Sequence, residues 1–293
     1  MPDPQFWFGR RVLVTGCTGL LGTAVVRELL DRGAYVAGLV RDRVPDGDYQ
    51  RDRRFRNVHL VRGRVEDRFR VQSALAIHHI QSVLHLVGPT DSSSLDRGTA
   101  TVLSAIQGHD SRITVVTARP LPGLGLAGAN AAEPMKCPIR WGVASFGEVF
   151  GGGDRHTFRV VPGTIVSHLL GDRSHAIMES GPAKDFVYAV DAARACLALS
   201  ESLAESGTPG RSVVNFRSGW VYSEADMAAI VRAIAAKAPL PRLTESLVEK
   251  PLSWEPSVSM VEGIRETISW YRDFLRSRFF GTRSAVLSPR AAA

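Results

Sequence analysis

From Arg11 onward the chain alternates short β-branched apolar runs with longer stretches whose apolar residues recur at helical spacing. RVLVTG reads as a strand stopped by Gly16. CTGLLGTAVVRELLDRG reads as a Gly-rich turn and a helix closed by Gly33, and YVAGLV as a second strand ending at Arg41. The pattern then predicts a strand over Val58 to Val61, a helix from Arg68 to Ile80, the strand SVLHLVG, a helix from Leu95 to Gln107 and the strand ITVVTA. A Gly/Pro/Ala-rich loop from Arg119 to Pro138 leads into IRWGVASFGEVFGGGD. Strands separated by helices in this way imply a parallel sheet covered on both faces, an α/β fold of the Rossmann-like, doubly wound kind. After Asp154 the alternation loosens into a mixed α+β region, which ends in a helix near Met260 to Arg276. The expected division is a main parallel-sheet domain over 1–160, to which 186–218 returns. A small α+β region covers 161–185 and 219–277, and a disordered tail covers 278–293.

With 293 residues, 44% of them hydrophobic, the chain can bury a substantial core, so general disorder is excluded. No run of about 18 apolar residues is present to span a bilayer. MPDPQFWFGRR lacks the basic start and apolar stretch of a signal peptide, so a cytoplasmic location is expected. Cys17, Cys137 and Cys196 are odd in number and widely spaced, which encodes neither a disulfide framework nor a CxxC site. The formal charge of +7 raises the question of a nucleic-acid partner. The densest basic stretch, Arg41 to Arg70, interleaves its arginines with Asp42, Asp46, Asp48, Asp52, Glu66 and Asp67. That reads as a solvated mixed-charge face rather than a phosphate-tracking stripe. His78 and His79 are neighbours, but no HxxxH or HExxH spacing occurs, so no metal site is expected. Ser145 does not stand in a GxSxG elbow, which leaves serine hydrolase chemistry without support.

Gly16-Cys-Thr-Gly19-Leu-Leu-Gly22 lies between a strand and a helix, where a phosphate-binding turn belongs. The first glycine permits the tight turn, the second lets backbone approach a pyrophosphate, and the third lets helix pack on strand. Nucleotide binding is the preferred reading over a turn that merely packs. The second strand ends in Val40 and then Arg41, not in the acid an NAD site offers to the adenosine ribose. Arginine there suits a 2′-phosphate as well as it suits an ordinary surface, so the cofactor is read as NADP or NAD.

TGCTGLLG in this setting resembles the extended short-chain dehydrogenase/reductase superfamily, the branch of nucleotide-sugar epimerases and dehydratases. FWFGRRVLVTGCTGLLG, GLVRDRVP, FGEVFGGGDRHTFRVVPGTI, KDFVYAVDAARACLAL and LSWEPSVSMVEGIRETISWYRDF look like the CDP-glucose 4,6-dehydratase group, in family order from residue 6 to about 275. The resemblance implies that Gly16, Thr18, Gly19, Leu20, Leu21 and Gly22 line the cofactor pyrophosphate. Val65 would offer its backbone near the adenine, although Arg64 replaces the acid usual in that turn. It further implies a nucleotide-sugar partner, with Arg155, Arg159 and Arg173 as candidate phosphate contacts near Gly151-Gly152-Gly153-Asp154. Lys184-Asp185 stands where Arg-Asp is common.

The departure from the family concerns catalysis. The superfamily uses Tyr-x-x-x-Lys on one helix turn, the lysine lowering the tyrosine pKa and the tyrosine moving the proton. Four residues after Tyr35, Tyr49, Tyr188, Tyr222 and Tyr271 stand Leu39, Arg53, Ala192, Asp226 and Leu275. The segment that should carry the pair is shortened to Arg119–Pro138 and crowded with Pro120, Pro122, Gly123 and Gly125, which does not suit a long helix. That helix also builds the family dimer, so an oligomer is allowed but the ordinary dimer is not expected. Asp154, His156 and Asp185 remain as groups to test for catalysis. Two readings stay open: an atypical NAD(P)-binding enzyme of nucleotide-sugar or related metabolism, and a non-catalytic Rossmann scaffold acting as a nucleotide sensor or protein-binding partner.

Overall fold

The computed structural model describes residues 5–41, 52–87, 92–121, 138–171, 182–241 and 254–280, the side chains of 92–96 and 279–280 excepted. Strand β1 (Arg11–Thr15) is an interior strand of a seven-stranded sheet. Its alternate residues face opposite ways, as a pleated strand requires. Val12 and Val14 enter one core cluster and Leu13 another. Helix α1 (Leu20–Asp31) follows, with Val25, Val26 and Leu29 fully buried on its inner face. Burying each such side chain contributes about 1.5–3 kcal/mol before the entropy of ordering it is subtracted. The helix stops at Arg32 and Gly33, the glycine adopting a φ of +75°.

Strand β2 (Tyr35–Val40) pairs in parallel with β1, and β3 (His59–Arg62) pairs in parallel with β2. The chain then crosses back through α2 (Arg68–Ile77) to β4 (Ser82–His85), which pairs with the other edge of β1. The side chain of Asp67 caps α2 by accepting from the Arg70 amide (3.1 Å). Helix α3 (Ser92–Gln107), β5 (Thr114–Pro120) and β6 (Arg140–Phe146) extend the sheet. Strand β9 (Gly210–Phe216) closes it, giving the order β3-β2-β1-β4-β5-β6-β9 with every neighbour parallel. The doubly wound arrangement reverses direction between β1 and β4, the place where such sheets open a crevice.

A smaller three-stranded sheet is built from β7 (Glu148–Phe150), β8 (Lys184–Tyr188) and β10 (Val221–Tyr222). It packs with α4 (Val160–Leu170), α6 (Glu224–Ala236) and α7 (Met260–Phe280) around Phe150, Ile165, Phe186 and Ile264. Helix α5 (Ala189–Ser206) returns from β8 to the large sheet and shares its core with α1. Helix α7 extends to Phe280, into the stretch expected as tail, and residues 281–293 lie outside the described residues. Cys17 and Cys196 are buried thiols outside any disulfide, and Cys137 lies outside the described residues.

Candidate functional site: a glycine turn at the crevice of the sheet

The turn from β1 into α1 sits where the strand order reverses. Gly16 has a φ of +70°, and a Cβ added to it would stand 2.5 Å from the Leu86 carbonyl oxygen at the end of β4. A Cβ on Gly22 would stand 2.0 Å from the Gly16 oxygen. Glycine at both positions is therefore demanded by backbone meeting backbone. Gly19 is different. It is exposed, and the nearest atom to an added Cβ is the Gly16 oxygen at 3.4 Å, so its outer side opens to solvent. Gly19 is also the N-cap of α1 and no side chain caps the helix there. The first-turn amides and the positive end of the helix dipole are left facing that opening, which is the arrangement that receives a pyrophosphate. This cradle fits a dinucleotide. Thr18 is exposed at the tip of the turn, while Leu20 and Leu21 are half-buried at its base.

The surrounding groups follow from the strand ends. Thr15 Oγ1 shares a 2.6 Å hydrogen bond with His85 Nδ1 across β1 and β4. His85 is 2% exposed, its Nε2 has no hydrogen-bond partner among the described residues, and burial pulls its pKa down to about 4. It is thus a neutral imidazole at neutral pH. Val65 is buried against Gly98 of α3, where a Cβ would come within 3.0 Å of it. Arg41 stands exposed at the end of β2, with Arg64 exposed beyond β3. At the far ends of β5 and β6, Arg119 Nε donates to Ser145 Oγ (2.9 Å). Sequence reasoning passed over the Thr15–His85 and Arg119–Ser145 pairs. Their signal is a register across strands, visible only once the sheet is assembled.

The GGGD segment packs rather than opens. A Cβ on Gly151 would lie 2.9 Å from Ala189 Cβ and 3.4 Å from Leu20 Cδ1, and one on Gly152 would lie 2.6 Å from the Trp270 ring. Asp154 is 2% exposed. It accepts from the His156 amide (3.0 Å) and from Arg159 Nη1 (2.9 Å). Arg159 also pairs through Nε with Glu148 (2.9 Å), so this guanidinium already meets two carboxylates. Arg155 and His156 are exposed just after the glycines, the His156 ring lying 5.3 Å from Phe158. Arg173 lies outside the described residues. Asp185 is buried on β8 and accepts from the Ser218 amide and hydroxyl and from the Gly219 amide (3.1, 2.9 and 2.9 Å). Burial raises its pKa, against the pull of those bonds. Asp154 and Asp185 thus have separate hydrogen-bond shells, each serving its own loop.

Three tyrosine hydroxyls have assigned partners: Tyr35 with His78 Nδ1 (2.7 Å), Tyr188 with Glu266 Oε2 (2.6 Å), and Tyr271 with the Asp154 carbonyl. Burial raises the Tyr188 and Tyr271 pKa values well above the ordinary tyrosine range, in Tyr188 with the Glu266 hydrogen bond adding to it. Lys184 is bound to Glu224 (2.6 Å). Among these groups no tyrosine is matched with a lysine. The described residues also contain no cluster of three or more His, Cys, Asp or Glu side chains able to hold a metal ion, and no helix long and apolar enough to cross a membrane.

A glycine turn at the crevice of a seven-stranded, doubly wound parallel sheet defines a Rossmann-type protein. More particularly, residues 12–119 match the NAD dependent epimerase/dehydratase family. The chain is similar in fold to a UDP-glucose 4-epimerase of Thermotoga maritima solved with UDP-glucose, at 19% identity and a TM-score of 0.67 over 90% of this chain and 99% of that one. It is similar also to a dTDP-glucose 4,6-dehydratase of Bacillus anthracis in complex with NAD (15%, TM-score 0.68, 90% and 97% covered). A third similar structure is the Bordetella bronchiseptica enzyme WbmG in complex with NAD and UDP (17%, TM-score 0.64, 90% and 94% covered). No protein of curated function matches the chain by sequence.

Proposed function

We propose that the protein binds NAD(P) at the Gly16–Gly22 turn and takes a nucleotide-sugar or related small molecule beside it, without the Tyr/Lys redox catalysis usual for such sites. The observation that carries the reading is the open, uncapped helix start at Gly19, held in place by two glycines that admit no side chain. Bound there, a nicotinamide would supply a hydride acceptor and donor. Leu20, Leu21 and Gly22 would hold the pyrophosphate through backbone amides, with Gly19 giving it room to approach, and Arg41 would face the adenosine ribose or its 2′-phosphate. The similar structures solved with NAD, UDP and UDP-glucose support this choice of ligand class.

The test is to denature the purified protein, identify released small molecules by mass spectrometry, and titrate the stripped protein with NAD, NADP and UDP-glucose by calorimetry. Recovered or micromolar-affinity NAD(P) is expected, and an intact fold with no dinucleotide binding overturns the reading. Mixing the holoprotein with CDP-glucose or dTDP-glucose is expected to form no NAD(P)H absorbance. Stoichiometric NAD(P)H would show the proton relay to be present after all.

The second reading is a non-catalytic nucleotide sensor or protein-binding scaffold. It is favoured by Arg159, which is spent on Glu148 and Asp154. Under that reading NAD(P) binds while UDP-glucose gives no heat.

A further inference from the structure

At the opposite end of the large sheet from the glycine turn, a cavity of about 530 Å³ opens where the chain enters β4, β5 and β6. Phe6, Ile80 and Ile113 give it apolar walls, and Arg10, Arg112 and Arg140 line it as well. The five residues of β1 alone separate the two ends by roughly 17 Å.

Two acids share the lining, Asp110 and Glu205. Asp110 is closed by Arg112 in a fork, Nε to Oδ1 at 3.1 Å and Nη2 to Oδ2 at 2.9 Å, and Glu205 is exposed. Arg10 and Arg140 meet no carboxylate at ion-pair distance among the described residues. Arg140 spends Nε on the Gly207 carbonyl (3.1 Å) and Nη1 on the Arg112 carbonyl (3.5 Å), both uncharged acceptors. Arg10 donates Nε to Ser82 Oγ (2.9 Å) and lies 4.1 Å over the Phe6 ring, and its two terminal nitrogens have no hydrogen-bond partner among the described residues. Burial and the charge of Arg140 pull the Arg10 pKa below its ordinary value, with buried Glu201 acting in the other direction. A half-buried guanidinium with a second one lining the same cavity is relieved by a dianion bound there. The cavity is larger than a bare tetrahedral oxyanion needs, and the Phe6 ring lies at its wall for an organic body.

We propose that this cavity is a binding site for a phosphomonoester, its phosphoryl group held by Arg10 and Arg140 and its organic part resting on Phe6. The site is independent of the glycine turn and of the function proposed for it.

Phenyl phosphate and inorganic phosphate, titrated separately into the full chain by calorimetry, test the site. Each titration is repeated in Gly19→Asp, where a carboxylate caps α1 and repels phosphate from the turn, in Arg140→Gln and in Phe6→Ala. One site is expected, tighter for phenyl phosphate and unchanged in Gly19→Asp. Arg140→Gln should weaken both probes about tenfold or more, and Phe6→Ala should weaken phenyl phosphate alone. Arg140 sits at the cavity with only two carbonyl bonds, so Arg140→Gln is chosen over a change at half-buried Arg10 and is expected to fold. The proposal is overturned by no binding of either probe, by binding that survives Arg140→Gln, or by binding that disappears in Gly19→Asp. Equal affinity for the two probes overturns it as well, because the phosphoryl group alone would then account for the binding.

Discussion

The three glycines of the turn have different duties, and substitution separates them. Gly22→Ala drives a methyl to 2.0 Å from the Gly16 oxygen, a contact with backbone that cannot move aside cheaply. It is expected to cost about 1–3 kcal/mol in urea unfolding. Gly19 has φ −81° and ψ 174°, which any residue adopts. Gly19→Asp is therefore expected to raise stability by a few tenths of a kcal/mol through capping, while abolishing NAD(P) heats in calorimetry. Equal loss of stability in both variants would mean that the turn is built for packing alone. His85 gives a second residue-scale expectation. The folded protein keeps it neutral down to about pH 4, whereas the unfolded chain takes up the proton near pH 6.5. Between those values the unfolded state holds the extra proton, so stability falls as pH drops through the window and is untouched by this group above it. The full loss is about 3 kcal/mol. His85→Asn should flatten that part of the urea midpoint against pH, whatever it does to the absolute midpoint.

Elements join through buried carboxylates. Asp191, in the first turn of α5, accepts from the Ser257 amide (2.8 Å), the Ser257 hydroxyl (2.6 Å) and the Val258 amide (3.3 Å), tying the approach to α7 onto α5. Asp191→Ala leaves those donors without a partner, at about 1–3 kcal/mol. Hydrogen exchange should quicken at Ser257 and Val258 while β4 amides keep their protection; uniform quickening would speak for a global effect instead. The strand-turn-helix-strand start was readable in sequence because its signals are local. Where the reading slipped, the cause was contact at a distance or a local reversal. Val58, expected in β3, instead closes a short 3₁₀ turn with its amide on the Phe55 oxygen (3.2 Å), so the strand begins at His59. The helix expected to reach Ile80 ends at Ile77, because His79 turns the chain with a φ of +49°. IRWGVASFGEVF divides into β6 and β7 at Gly147, where a Cβ would fall 1.9 Å from the Asp185 oxygen. The glycine turn was legible for the same local reason, whereas the shells of Asp154, Arg159 and Asp185 depend on residues brought in by folding.

For the whole molecule the telling feature is how far apart in sequence its nearest neighbours are. Trp7 Nε1 donates to Glu201, 194 residues away, and α1 shares its core with Ala192, Ala195, Cys196 and Leu199 of α5. A ribosome adding about 5–20 residues per second leaves the apolar face of α1 without its partner helix for about 10–40 s after that face emerges. β6 likewise waits for β9, which is made only after β7, α4, β8 and α5. Chains stalled before Ala189 leaves the exit tunnel should be cut readily by protease within α1, and chains stalled with Phe216 outside should resist. During that interval the nascent chain carries a greasy helix that a holdase chaperone can occupy, so heterologous yield should depend on translation speed more than on the final stability of the fold.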